Sequence, residues 1–145
     1  SANVYYLHEL SEIYAREGIG YERASQMARV GSWFSADINT TFHSDFTMAP
    51  AEPLNSAWVA INRINHTGAV MGEHEKVSQL HALQAITINA AHVLGFANET
   101  GSIRAGKKAD LTVLEENPLS CAASQLRDIP IKATVFEGTV HELDN

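Results

Sequence analysis

Asp45 closes the tripeptide His43-Ser44-Asp45, which follows the β-prone run Thr40-Thr41-Phe42 and precedes the turn-rich Thr47-Met48-Ala49-Pro50. That order sets one carboxylate where a strand opens into a loop. Side chains alternate along a strand, so the spacing predicts Thr41, His43 and Asp45 on one side and Phe42 and Ser44 on the other. A carboxylate at the carboxyl end of a parallel strand is in the usual location for chemistry in barrel enzymes. Asp45 and His43 are also the most economical zinc ligands here, short of the three protein ligands that a catalytic zinc takes. One Asp and one neighbouring His do not complete an active site.

The remaining reactive side chains are scattered. None of the seven histidines, His8, His43, His66, His74, His81, His92 and His141, lies two to five residues from another, so a self-contained HxH or HExxH site is absent. Each candidate also has a plainer reading. Asp45 fits a loop-capping aspartate. His43 fits a polar neighbour of a site or a hydrogen-bonded barrel residue better than a ligand, and His92 fits a packing residue on a helix. Tyr5 and Tyr6 follow a candidate strand and are placed to line a substrate pocket, although aromatics there are more often simply packed. Trp33 and Trp58 fit helix faces, while Glu115-Glu116 and the stretch from Glu142 to Asp144 fit solvated ends.

Composition narrows the function classes. With 145 residues and 45% hydrophobic content, the chain suffices for one domain with a real core, or a small domain plus an appendage. A net charge of −7, with no basic cluster beyond Lys107-Lys108, argues against a nucleic-acid surface. Cys121 is the only cysteine, which excludes an intrachain disulfide and a CxxC knuckle and fits a reducing compartment, the cytoplasm. No apolar run approaches the roughly 18 residues of a membrane span, and no leader pattern is present. The expectation is a soluble globular protein with no nucleic acid or membrane as partner. Because it begins Ser1-Ala2-Asn3 without Met, it is expected to be a processed product or part of a longer reading frame.

These residues need elements to hold them. Asn3 to Leu7 read as the end of a strand running into a loop. Ala24, Met27, Ala28, Gly31 and Phe34 recur at near-helical spacing, which predicts one amphipathic helix from Tyr21 to about Asp37. The strand around Phe42 follows, so a helix joins two strands in the pattern of a parallel β/α repeat. Pro53 opens a second helix through Leu54, Ala57, Trp58, Ile61 and Ile64. Residues 65–77 lack a period and read as a surface excursion. Ser78 is a predicted N-cap for a helix that places Leu80, Leu83, Thr87, Ala90, Ala91 and Leu94 on one face and ends at Gly95. Beyond Phe96 the pattern turns alternating. Ser102-Ile103 and Ala109 to Leu114 read as strands about a turn at residues 104–107, and Ile131 to Phe136 with Thr139 to His141 read as a hairpin about Glu137-Gly138. Ser124-Gln125-Leu126 reads as a brief helical turn.

Two stretches carry a family resemblance. The run from Ala82 to Gly95, followed by Gly101-Ser102-Ile103-Arg104-Ala105-Gly106-Lys107-Lys108-Ala109-Asp110-Leu111-Thr112-Val113-Leu114, resembles the carboxyl-terminal end of the amidohydrolase superfamily. It is similar to urease, dihydroorotase and imidazolonepropionase alike. His43-Ser44-Asp45-Phe46, Ala49 to Leu54, Trp58 and Asn62-Arg63 resemble a narrower branch, the amidohydrolase 3 group that includes N-substituted formamide deformylase.

The resemblance implies an α/β fold: residues 1–95 as the end of a (β/α)8 TIM-type barrel and residues 96–145 as strands of a composite β-sandwich. It implies a metal-dependent hydrolase that cleaves an amide-type, non-peptide C–N bond in a small-molecule substrate through a metal-activated water. Asp45 corresponds to the family's aspartate after the eighth strand, a metal contact and proton acceptor and donor; His43 and Tyr6 are weaker substrate-binding candidates. The cofactor implied for the intact enzyme is a divalent metal, zinc foremost, and this chain alone need hold none. The family's histidine ligands lie upstream of these residues, and its usual glycine two before the aspartate is replaced by His43. The 145-residue chain is therefore expected to be inactive alone, and to form homo-oligomers or pair with the missing amino-terminal part through open strand edges. A non-catalytic assembly or binding module with the same packing is the alternative.

Overall fold

A computed structural model of the chain describes residues 1–143, and the Asp144 end of the acidic tail lies outside them. The architecture is mixed α/β. Strand β1 (Ala2–Asn3) pairs in parallel with β2 (Phe42–His43), with Ala2 opposite Phe42 and Asn3 opposite His43. Between them run α1 (Tyr5–Ile13), a wide turn at Tyr14–Gly18, α2 (Tyr21–Ala24) and α3 (Val30–Ser35). The expected helical connection between parallel strands is therefore present. No closed barrel is formed among the described residues.

Local conformation departs from expectation in several places. Asn3 to Leu7 do not enter a loop, because Asn3 Oδ1 accepts the Tyr5 N–H and α1 begins at once. The predicted helix over 21–37 is two short helices. Between them, the carbonyls of Ser25, Met27 and Ala28 turn toward the guanidinium of Arg63, and Ala28 takes a positive φ of 50°. A tertiary acceptor set outcompetes helical hydrogen bonds. Residues 65–77 are anchored and not a free excursion: Ile64 bridges Val70, and Met71, Glu75 and Val77 are buried.

Helix α4 (Pro53–Asn62) begins with proline at its first position and ends at Arg63, whose φ of 52° is left-handed. It supplies the centre of the core through Ala57, Trp58, Val59, Ala60 and Ile61. Helix α5 (Gln79–Ile86) is capped by Ser78, whose Oγ accepts the His81 N–H. The long helix expected through Leu94 breaks at Thr87 (φ −125°, ψ −96°), and α6 (Ile88–Val93) follows. The buried residues are Ala82 and Ala85 of α5 and Ala91 of α6, of which Ala91 alone was on the face read from spacing, while Leu94 is 69% exposed.

The carboxyl-terminal residues form an antiparallel sheet in the order β3 (Leu111–Leu114), β4 (Ile131–Phe136), β5 (Thr139–Glu142). Glu137 and Gly138 both have positive φ, the geometry a two-residue hairpin turn requires. Ser102-Ile103 is not a strand, because the ammonium of Lys107 gathers Ala97 O, Thr100 O and Ser102 Oγ into a compact loop. The Ala123–Asp128 turn docks on α4, where the Trp58 indole donates to Ser124 O. Among the described residues no helix is long and apolar enough to cross a membrane.

Candidate active site

Strand β2 ends at His43, and Asp45 turns the chain with a φ of 53°, a conformation that Asp and Asn tolerate better than most residues. Its carbonyl accepts the Met48 N–H at 2.7 Å and holds the loop in place. The expected alternation over residues 41–45 stops at His43: Thr41 and Phe42 are both buried, and Asp45 leaves the extended run. His43 and Asp45 are exposed at the carboxyl end of β2, consistent with their place in the sequence.

A cleft of about 250 Å³ opens at this end of β2. Phe42, Pro53, Ile86 and Ala90 give it apolar walls, and His43, Ser44, Glu52 and Ser56 supply its polar groups. Three elements meet here: the end of β2, the first turn of α4, and the kink between α5 and α6. The Glu52 carbonyl accepts the N–H groups of Asn55 and Ser56, each at 3.1 Å, which orients the first turn and brings Ser56 to the cleft floor.

Tyr5 lies behind that floor, 1% exposed. Neither its hydroxyl nor Asn55 Oδ1 completes a hydrogen bond. Burial pushes the Tyr5 phenol above its ordinary value and the Glu52 carboxylate adds to this, while the neighbouring Asn55 and Ser56 side chains pull the other way. The phenol therefore remains neutral and protonated at physiological pH.

Of the residues read from sequence, His43 lines the cleft, Asp45 follows directly after the cleft residue Ser44, and Tyr6 is 40% exposed on α1 and outside the lining. Glu52, Ser56, Ile86 and Ala90 were not singled out. The first two had a signal: Glu52 directly precedes the proline that opens the helix after the candidate strand and Ser56 lies in that helix's first turn, where loop and helix start surround a strand end. The latter two had none, because the kink at Thr87 that presents them breaks an otherwise regular helical pattern. Among the described residues no three His, Cys, Asp or Glu side chains converge on a point, so His43 and Asp45 do not by themselves make a metal centre.

Comparisons with known proteins agree with this architecture. The chain is 35% identical over 111 residues to N-substituted formamide deformylase from Arthrobacter pascens, covering 77% of this chain and 20% of that protein. It is 41% identical over 64 residues to imidazolonepropionase from Geobacillus sp. (strain WCH70), covering 43% of this chain and 14% of that protein. The chain thus spans a fifth or less of these relatives. In fold it is similar to a zinc-bound adenosine deaminase from Xanthomonas campestris (TM-score 0.62, 22% identity, 79% of this chain and 28% of that one). An amidohydrolase from Thermotoga maritima MSB8 is similar too (TM-score 0.58, 17% identity, 86% and 26%). A sequence model of the amidohydrolase family matches residues 1–141, and with it the strand end, the cleft and the carboxyl-terminal sheet fall into one assignment: this chain belongs to the amidohydrolase family.

Proposed function

We propose that this chain is the carboxyl-terminal part of a hydrolase that cleaves an amide-type C–N bond in a small molecule, with Asp45 as its general base and acid. The observation that carries this reading is the carboxylate itself, exposed at the carboxyl end of a parallel strand, one residue from a cleft. Asp45 there takes the proton from the attacking water and returns it to the leaving nitrogen, which must be protonated before it departs. His43 lines that cleft and is the candidate contact for the substrate.

In this reading residues 1–95 close a (β/α)8 barrel and residues 96–145 contribute strands to a composite β-sandwich. Both edges of the β1–β2 pair are open to a neighbouring strand, and such edges seek partners. The amino-terminal remainder of a longer polypeptide fills that role. Metal dependence follows from family membership only, because His43 and Asp45 do not suffice to hold a metal, and further ligands belong to that remainder.

The test is hydrolysis of a panel of N-substituted amides, read as amine released. The longer polypeptide is expected to turn over at least one of them and the 145-residue chain none. Metal-dependent turnover by the isolated chain contradicts the division of ligands, and a longer polypeptide inert to every C–N substrate favours a packing or assembly module.

A further inference from the structure

The break between α5 and α6 has little local cause. Residues 79–94 contain neither proline nor glycine, the usual makers of a helix kink. Thr87 Oγ1 donates back to Leu83 O at 2.6 Å, a bond that eases a bend without fixing its direction. Two tertiary contacts supply the direction. Asn89 Nδ2 donates to Thr40 O at 2.9 Å and ties α6 to the approach of β2. Gly101, with a left-handed φ of 82°, lies against the first turn of α6. A Cβ on it would meet Ala91 Cβ at 2.6 Å, Ile88 Cα at 3.1 Å and Thr87 O at 3.2 Å, so no other residue fits so close.

Gly101 is held there by a lysine. The chain leaves α6 at Gly95, and the Phe96 N–H returns to Ala91 O at 2.7 Å. The half-buried ammonium of Lys107 donates to Ala97 O, to Thr100 O at 3.1 Å and to Ser102 Oγ at 2.7 Å. All three of its N–H bonds are thus engaged within the loop that carries Gly101. The Lys108 N–H closes the far end of that loop on Glu99 O at 2.8 Å. None of these groups lines the cleft, but Ile86 and Ala90, which form one of its apolar walls, stand on either side of Thr87 in the chain.

We propose that Lys107 is a positioning residue for the cleft beside Asp45. By bracing the 97–107 loop it seats Gly101 against the start of α6, fixes the kink at Thr87 and sets the wall made by Ile86 and Ala90. The functional meaning rests on the proposed hydrolysis: a displaced wall loosens the hold on substrate and leaves the Asp45 carboxylate where it is.

Lys107→Met in the longer polypeptide tests this, since methionine keeps an apolar stem and removes the donors. Hydrogen exchange read by mass spectrometry is expected to quicken at residues 97–102 and 86–91 and to keep parental rates at residues 53–63 and 123–128. With an amide that the parent hydrolyses, KM is expected to rise about tenfold, the lower range for one misfit apolar contact, while kcat stays within about twofold. Ser102→Ala removes one acceptor of the three and is expected to move both readouts the same way by less; it decides the matter where Lys107→Met does not fold. Quickening confined to residues 97–107, uniform quickening in both variants, or a fall in kcat at unchanged KM overturns the proposal. If exchange responds as expected while the longer polypeptide hydrolyses nothing, the brace stands and the proposed hydrolysis falls. Hydrolysis with KM unmoved in both variants keeps the hydrolysis and overturns the brace.

Discussion

Arg63 and Glu75 are both 1% exposed in one wall of the core, yet their charges are satisfied by different partners. The guanidinium donates to four backbone carbonyls, those of Ser25, Met27, Ala28 and Met71, at 2.6 to 2.9 Å. The carboxylate accepts the N–H and hydroxyl of Ser32 at 2.7 and 2.5 Å, and Arg29 at 3.4 Å. Burial pulls the Arg63 guanidinium down to about 10, with Glu75 holding it up, so it stays charged at neutral pH. Together the two ions tie the loop between α2 and α3, residues 63–75 and the start of α3 into one body.

Arg63→Met removes the guanidinium, leaves four carbonyls short of a donor and takes a favourable charge from the neighbourhood of buried Glu75, which keeps its bonds to Ser32 and Arg29. The expected loss is about 3–5 kcal/mol, the usual result of breaking one half of a buried ionic network. Urea unfolding of wild type and variant measures it. Arg63→Lys is expected to recover only part, since an ammonium cannot reproduce the planar fork that reaches carbonyls on two segments.

Glu75 gives the fold an acid limit. Burial raises its carboxyl, but hydrogen bonds from Ser32 and Arg29 and the charge of Arg63 prevail, and the folded value lies below the ordinary 4.5. A depressed carboxylate contributes stability that is complete above the unfolded value and is lost as pH falls through the folded one. The urea midpoint is therefore expected to drop from about pH 4.5 downward. In Glu75→Gln the midpoint starts lower and the acid slope is shallower.

Gly72 and Gly68 share a left-handed backbone but not their surroundings. A Cβ on Gly72 meets Ser25 O at 2.1 Å, whereas one on Gly68 meets nothing within 4 Å. Gly68→Ala pays only the left-handed penalty of about 1 kcal/mol. Gly72→Ala adds a backbone clash beside the Arg63 clamp, for an expected total of about 2–4 kcal/mol. Equal unfolding midpoints for the two variants contradict this packing.

These pairs also show what the sequence could disclose. Elements set by neighbouring residues were readable: Pro53 at a helix start, Ser78 as a cap, the Glu137-Gly138 turn, and the helical link between two parallel strands. Elements set by distant residues were not. No spacing within 21–37 announces that Arg63 will claim three of its carbonyls, and none within 79–94 announces the break at Thr87. The candidate site divides the same way. His43 and Asp45 stand out because a strand end is a local pattern, while the cleft beside them needs α4 and the α5–α6 kink folded against it.

Trp58 couples α4 to the Ala123–Asp128 turn. Its indole donates to Ser124 O at 2.8 Å, and the Arg127 guanidinium lies 3.9 Å from its ring centroid. Trp58→Phe keeps the apolar body and loses the N–H bond and much of the cation–π attraction, about 1–3 kcal/mol. Hydrogen exchange is expected to quicken at residues 123–128 before it does at α4. Uniform quickening in both contradicts a local coupling.

Asp45→Asn in the longer polypeptide bears most directly on the proposed chemistry. The amide cannot accept and return the proton, and Asp45 is exposed, so folding and the thermal midpoint are expected to be unchanged. With substrate saturating and metal content matched to the parent, kcat is expected to fall about 10²–10⁴-fold, the range lost with a positioned acid–base group. A variant that folds as the parent does and keeps its kcat within about twofold contradicts the role given to Asp45.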